Sequence, residues 1–227
     1  MQSDLPKVLH KLGGKPLIRH VIDNVKAAGV QNIIVVVGYK GEEVAEELPV
    51  DVQYVWQREQ LGTGHAVMQA EEALAKTAGN VLIACGDVPL IRPQTFSLLV
   101  KAAEKVGIGA ALLTMELENP FGYGRIIKDE AGRFVKITEE KDASDSERLV
   151  KEVNTGTYVF NNAMLFAGLK GLKNSNAQQE YYLTDALEHI AKFGLGVNTL
   201  MLANPIEGSG VNSKEELDKL ETYLRQR

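Results

Sequence analysis

Val81-Leu82-Ile83-Ala84-Cys85-Gly86-Asp87-Val88-Pro89 sets five consecutive apolar residues directly before a glycine, an aspartate and a proline turn. A run this short, with no polar alternation, reads as a strand buried on both faces, as in a parallel sheet. Working outward, Ile33-Ile34-Val35-Val36-Val37 has the same character. Before it, Leu17, Ile18, Val21, Ile22 and Val25 recur at helical spacing, and Gly29 supplies a stop. After it come a strand at Val52–Trp56 and a helix from about Gly64 to Lys76. Beyond the quoted run a helix fits Pro93–Val106. Strand and helix in alternation imply right-handed crossovers and an open α/β sheet.

The second half changes pattern. Strands fit Ala110–Glu116, Gly124–Ile127, Phe134–Thr138 and Thr155–Phe160, with a further one at Val197–Leu202. Helices fit Asn162–Leu169 and Tyr182–Lys192. Clustered strands predict an appended, partly antiparallel lobe. The polar stretch Lys141–Arg148 reads as a surface loop or short helix. Ser213 with Glu216 forms a capping box for a last helix, and Leu217, Leu220 and Leu224 give it one apolar stripe. There is no internal repeat, low-complexity tract or clear linker.

At 227 residues with 44% hydrophobic and 24% charged content, the chain can bury a sizeable core. A net charge of -5 argues against nucleic acid as a partner. One cysteine cannot form an internal disulfide, no apolar run is long enough for a membrane, and the first residues lack a signal core, so a cytoplasmic protein is expected. Residues 1–20 run against the acidic balance, with Lys7, Lys11, Lys15 and Arg19 opposed only by Asp4. A bare cluster of this kind is first read as a solvated surface, with a phosphate-facing segment as the sharper alternative.

In open α/β sheets ligands bind beyond the carboxyl ends of the strands, which singles out Gly86 and Asp87. One carboxylate there suits Mg²⁺, which fills its shell with water and phosphate. Asp is equally a turn former before Pro89. Gln57-Arg58-Glu59-Gln60-Leu61-Gly62-Thr63-Gly64-His65 ends in two glycines ahead of a helix. Backbone N–H groups there could approach a base or phosphate, or the glycines could simply open the helix. Lys7 follows Pro6 and could aim its charge at phosphate. Rival chemistry is missing: the four histidines lack metal-ligand spacing, and no nucleophile elbow, Walker loop or dinucleotide fingerprint occurs.

Six segments occur in order: Ser3-Asp4-Leu5-Pro6-Lys7-Val8-Leu9-His10, Gln60-Leu61-Gly62-Thr63-Gly64-His65-Ala66, Gly86-Asp87-Val88-Pro89-Leu90, Gly122-Tyr123-Gly124-Arg125-Ile126, Asn154-Thr155-Gly156 and Gly210-Val211-Asn212. Together they closely resemble the N-acetylglucosamine-1-phosphate uridyltransferase (pyrophosphorylase) domain of the bacterial bifunctional UDP-N-acetylglucosamine synthesis enzyme, over essentially the whole chain. The resemblance implies a Rossmann-like α/β nucleotidyltransferase fold, with a mixed, mostly parallel central sheet and a small, partly antiparallel sugar-binding lobe. It implies uridylyl transfer from UTP to N-acetylglucosamine 1-phosphate, giving UDP-N-acetylglucosamine and pyrophosphate. By match to the family's motifs, Asp87 and Asn212 hold Mg²⁺, and Lys7 neutralises phosphate. Gln57, Gly62 and Thr63 face the uracil. Gly124, Glu139, Asn154 and Thr184 face the sugar. Residues 1–212 make the transferase domain and 213–227 the closing helix.

The sequence departs from the family pattern in two places. The family opens with a strand and a loop of the form Leu-Ala-Ala-Gly-x-Gly-Thr-Arg-Met, of which only Met1 is present. A chain that truly began there would lack a central strand and the phosphate cradle, and is expected to fold poorly or turn over poorly. The family's acetyltransferase β-helix also does not follow Arg227, so no acetyl transfer is expected, and a monomer or weak dimer is. Two rival readings remain open on the sequence: another sugar-1-phosphate nucleotidyltransferase, and a non-catalytic sugar-nucleotide-binding module.

Overall fold

The computed structural model of the protein describes residues 4–75 and 77–226. A 3-10 turn at Lys7–Leu9 leads into a small hairpin of β1 (Lys11–Leu12) and β2 (Lys15–Pro16). Next, α1 (Leu17–Ala27) buries Leu17, Ile18, Val21, Ile22 and Val25, the stripe its spacing predicts. Then follow β3 (Ile34–Val37), α2 (Gly41–Glu46), β4 (Gln53–Trp56), α3 (Thr63–Met68), α4 (Glu71–Leu74), β5 (Asn80–Ile83) and α5 (Pro93–Ala103). The second half holds β6 (Ile108–Glu116), β7 (Arg125–Lys128), β8 (Phe134–Thr138), α6 (Asp145–Arg148), β9 (Glu152–Asn161), α7 (Asn162–Leu169), α8 (Thr184–Lys192), β10 (Gly196–Met201), a 3-10 turn at Pro205–Gly208, and α9 (Lys214–Arg225).

The predicted mixed sheet is present, with less parallel pairing than expected. β6 and β10 pair in parallel, as do β3 and β4 in a separate two-stranded sheet. The ladders onto β9 are all antiparallel. The cause is the placement of β9, which lies antiparallel between β5 and β6 and extends to reach β7. For the same reason the antiparallel lobe is continuous with the central sheet.

One edge of β9 is taken by β6, with a bulge between Leu112 and Thr114. The other is shared: Val153 pairs with Arg125 of β7, and Tyr158 to Asn161 pair with β5. Residues 154–157 therefore sit where the partner changes, beside the carboxyl end of β5. Gly156 turns there with φ 75, and a Cβ on it would stand 2.7 Å from the Cys85 sulfur.

Alternation along β6 and β9 builds two cores. Ala110, Leu112, Tyr158 and Phe160 face Leu165 and Leu169 of α7 and Leu187 and Ile190 of α8. Ala111, Leu113, Met115, Val153 and Val159 face Phe96 and Leu99 of α5 and Val21 and Val25 of α1. Helices thus cover both faces of the sheet. α9 seats Leu220 against Leu12, Leu17, Leu90 and Val211, and its Ser213–Glu216 capping box forms as the sequence indicates.

Several sequence expectations are corrected. The 33–37 run was expected to be buried on both faces. Only Val37 is fully buried, because among the described residues β3 has a strand partner on one edge alone. The single helix expected over 64–76 is two, since the Gln69 side chain donates to the His65 carbonyl and competes with the backbone ladder. Its expected end at Lys76 lies outside the described residues, as do Met1, Ser3 and Arg227. The 141–148 stretch, expected as a surface loop or short helix, does contain one capped helical turn, α6, with Ser144 and Glu147 as its box.

Gly156→Ala is expected to destabilise the protein by about 1–3 kcal/mol, because the new Cβ meets both the left-handed backbone and the Cys85 sulfur. A lowered urea midpoint with an unchanged slope is the result to look for. An unchanged midpoint would refute the tight β9 crossover.

Candidate active site

Asp87 follows β5 across the turn Ala84-Cys85-Gly86, at the carboxyl end of a sheet strand as expected. Lys7 reaches it from the opening 3-10 turn, with its ammonium 2.5 Å from Asp87 Oδ2. The same ammonium donates to Asn212 Oδ1 at 2.9 Å. Asn212 is held by backbone: its N–H donates to Glu216 Oε2 at 2.6 Å, and the preceding Val211 N–H donates to the Asp87 carbonyl at 3.0 Å. Three residues distant in sequence thus meet at one nitrogen.

That corner is braced from below. Glu207 is 5% exposed and accepts from the Arg92 backbone N–H at 3.0 Å, the Arg92 Nε at 2.9 Å and the Thr95 hydroxyl. A buried carboxylate must be satisfied in this way. It ties the loop carrying Asn212 to the start of α5, just past Asp87. Tyr123 packs over the same loop. Its hydroxyl is pushed up by burial and by Glu216 and Asp87, against the opposing hydrogen bond to the Gly210 backbone.

A second group gathers at the partner change in β9. The Asn154 N–H donates to the Gly124 carbonyl at 2.9 Å, and its side chain accepts from the Gly156 N–H at 3.0 Å and donates to the Tyr158 hydroxyl at 2.6 Å. Tyr158 is fully buried, and burial raises its hydroxyl well above the ordinary value. Glu139 is half-buried and accepts from the Thr184 hydroxyl at 3.2 Å. Burial pushes the Glu139 carboxyl up, the Thr184 hydrogen bond opposes this, and the nearby acids Asp185, Asp142 and Glu180 add to it. The two groups are joined through Cys85, whose thiol donates to the Gly156 carbonyl at 3.4 Å and is pushed up to about 12 by burial and by Asp87.

The Gly-Thr-Gly segment forms the third group. Gln57 donates to the Gly62 carbonyl at 3.0 Å. The Gly64 N–H donates to the Tyr181 carbonyl at 2.7 Å, and the Thr63 hydroxyl accepts from the Leu183 N–H at 3.1 Å. Gly62 has φ 103, and a Cβ on it would collide with Glu180 and Tyr181. Both glycines are therefore required for close packing against residues 180–183, and the Gly64 N–H is already committed within the protein. That packing links Gln57, Gly62 and Thr63 to Thr184, and so to Glu139.

All ten predicted residues therefore fall into one connected set. The basic cluster does not hold together: Lys15 pairs with Asp23 at 2.8 Å, Arg19 donates to the Glu47 carbonyl, Lys11 is exposed, and only Lys7 faces the site. Tyr158 and Glu207 were not identified from sequence. An aromatic in a strand and a glutamate in Asn204-Pro205-Ile206-Glu207-Gly208 carry no local signal of their partners.

Among the described residues no three His, Cys, Asp or Glu side chains converge as a metal centre. The Asp87–Asn212 pair offers one carboxylate and one amide oxygen, a sparse oxygen set that fits an ion retaining its water. Two open grooves, of about 570 and 560 Å³, contain none of the ten residues. The second lies by Asn80, at the other end of β5 from Asp87.

A connected set of polar groups at the carboxyl end of β5, in a helix-covered mixed sheet, occupies the place where α/β folds bind their ligands. The chain belongs to the nucleotidyl transferase family, whose model matches residues 2–201. It is 48% identical over all 227 residues to the bifunctional protein GlmU of Pelotomaculum thermopropionicum, covering 50% of that protein. It is 41% identical over its full length to the bifunctional protein GlmU of Oceanobacillus iheyensis, again covering 50%. The chain thus spans about half the length of these relatives. In fold it matches a UDP-glucose pyrophosphorylase solved with UDP-glucose, with a TM-score of 0.78 at 18% identity, over 98% of this chain and 92% of that one. No helix among the described residues is long and apolar enough to cross a membrane.

Folding raises the Glu139 carboxyl, so the native state holds that proton more tightly than the unfolded chain. Stability from this group is greatest below the ordinary glutamate range and falls as pH rises through it toward the raised value. Glu139→Gln should remove that loss. Calorimetric melting should show the variant above the parent at about pH 8 and level with it at about pH 4. The same difference at both pH values would contradict a raised Glu139.

Proposed function

We propose that the protein transfers the uridylyl group of UTP to N-acetylglucosamine 1-phosphate, releasing pyrophosphate and giving UDP-N-acetylglucosamine. The observation that carries this reading is the meeting of Lys7, Asp87 and Asn212 at one point beyond β5. The ordered motifs and the identity to proteins named GlmU favour this substrate pair over others.

The chemistry needs no strong base. An oxygen of the sugar phosphate is already an anion, and it forms its bond to the α-phosphorus as the bond to the departing pyrophosphate breaks and takes the electron pair. The barrier is the approach of like charges and the spreading of negative charge in the transition state. The Lys7 ammonium supplies positive charge beside the phosphates. Asp87 and Asn212 would hold Mg²⁺, which when bound neutralises phosphate oxygens and polarises the reacting phosphorus. Gln57, Gly62 and Thr63 would present the uracil-facing edge, with Gln57 oriented by its bond to the Gly62 carbonyl. Gly124, Glu139, Asn154 and Thr184 would receive the sugar, with Asn154 fixed by Gly156 and Tyr158. A preformed set of this kind contributes by positioning, without moving during the reaction.

In the same reading, residues 1–212 are the transferase unit and 213–227 its closing helix. In this reading the protein works in the cytoplasm.

Asp87→Asn is expected to lower kcat/KM by about 10²–10³-fold, the usual loss for one preorganised charge at a reacting centre. Its circular dichroism and melting temperature should stay close to the parent's. Pyrophosphate release across UTP or dTTP with N-acetylglucosamine 1-phosphate or glucose 1-phosphate then tests the substrates. The highest kcat/KM should fall on UTP with the N-acetyl sugar. A higher value for another pair would move the assignment to a different sugar-1-phosphate nucleotidyltransferase. Parent-like turnover by Asp87→Asn would remove Asp87 from the mechanism.

A further inference from the structure

We infer that Lys7 is a built-in counter-cation. It occupies the Asp87–Asn212 position in the metal-free protein, yields that position to an arriving divalent ion, and then turns to the nucleotide phosphates. The inference rests on the reading of Asp87 and Asn212 as the metal ligands.

The geometry is that of a cation site already holding a cation. The Lys7 Nζ touches Asp87 Oδ2 at 2.5 Å and Asn212 Oδ1 at 2.9 Å, the two side-chain oxygens assigned to the metal. An ammonium offers three donors and can satisfy both oxygens at once. The frame that converges them is fixed. Lys7 rises from a 3-10 turn closed by the Leu9 N–H to the Pro6 carbonyl at 2.9 Å. Beside it, Val8 packs where a Cβ on Gly86 would lie 3.2 Å away, next to Asp87. Asp87 and Asn212 are tied together through Val211 and the α9 cap.

The occupants differ in mobility. The Asp87 side chain is 19% exposed and stays with the sheet, whereas that of Lys7 is 42% exposed on a flexible four-carbon stem. An ammonium on Asp87 Oδ2 and a divalent ion on the same carboxylate repel one another, and each weakens the hold of the other. The partner free to leave is Lys7. With no ion bound, it keeps Asp87 from standing as an unpaired carboxylate in a half-buried corner. Once displaced it remains tethered beside the site, where the strongest nearby attraction is a polyphosphate.

This assigns Lys7 two effects of opposite sign. It weakens the binding of a bare metal ion and strengthens the binding of metal with nucleotide. A residue that only holds the fold, or only contacts phosphate, does not produce that pair.

The test is Mn²⁺ binding to the whole protein, followed by water-proton relaxation, with and without UTP. Lys7→Met is expected to tighten Mn²⁺ binding about tenfold without UTP and to weaken UTP binding in the presence of Mn²⁺ by about tenfold. Lys7→Arg keeps the charge and should resemble the parent in the UTP-free arm. If Lys7→Met does not fold, Lys7→Gln keeps a polar tip and is read in the same way. Asp87→Asn reports on the underlying reading, because it should abolish Mn²⁺ binding. Mn²⁺ binding that depends on Asp87 but is unchanged or weaker in Lys7→Met overturns the counter-cation role and leaves the metal site standing. Mn²⁺ binding indifferent to Asp87→Asn overturns the metal-site reading itself.

Discussion

Strand β9 has two backbone edges, and three other strands are hydrogen-bonded to them. β6 takes one edge, with a bulge between Leu112 and Thr114, and β5 and β7 divide the other. The ladders leave a gap at residues 155–157. Backbone groups in such a gap still need partners. They find them in side chains: the Gly156 N–H in Asn154, and the Gly156 carbonyl in Cys85. This crossover thus holds Asn154 and Gly156, with Glu139 and Thr184 gathered alongside, and the end of β5 delivers Asp87 to the same place. The rest of the site depends on this crossover.

Electrostatically the site has two unlike corners. Around Lys7, Asp87 and Asn212 the groups are partly open to water and opposite charges are already paired. Around Glu139 and Tyr158, burial raises both groups above their ordinary values. The first corner suits charge that arrives and leaves with phosphate and metal. The second suits neutral hydroxyl and amide groups, such as those of a sugar, where misplaced polar groups are costly and discrimination is sharp. The cost of keeping Glu139 in that corner is borne as stability, which natural proteins commonly yield at working sites.

Elements that specify themselves locally were legible. The α1 stripe, the Ser213 capping box and the short apolar run before Asp87 depend only on neighbours a few residues away. Asp87 at a strand end was legible for the same reason. The extent of pairing was not. Nothing in Glu152–Asn161 announces that one strand will span the lobe and the sheet, because β pairing is made with residues far along the chain. The 33–37 run shows the opposite failure: its composition suits burial on both faces, but burial is conferred by neighbouring strands, and β3 has only one among the described residues. Tyr158 and Glu207 were invisible because their roles are defined by Asn154 and Arg92, not by their own surroundings in sequence.

The sequence by itself determined the alternation of strands and helices, the position of Asp87 beyond a buried run, and the ordered motifs that mark a nucleotidyl transferase, since each is set by residue type and short spacing. The tertiary structure decided that Lys7 and Asn212 share one nitrogen–oxygen contact across 205 residues. It also decided that the two glycines of Gly62-Thr63-Gly64 serve packing against residues 180–183, and that four basic residues near the start separate into different partnerships. Contacts of that kind depend on where distant backbone is held, and only the paired sheet and its covering helices fix that position.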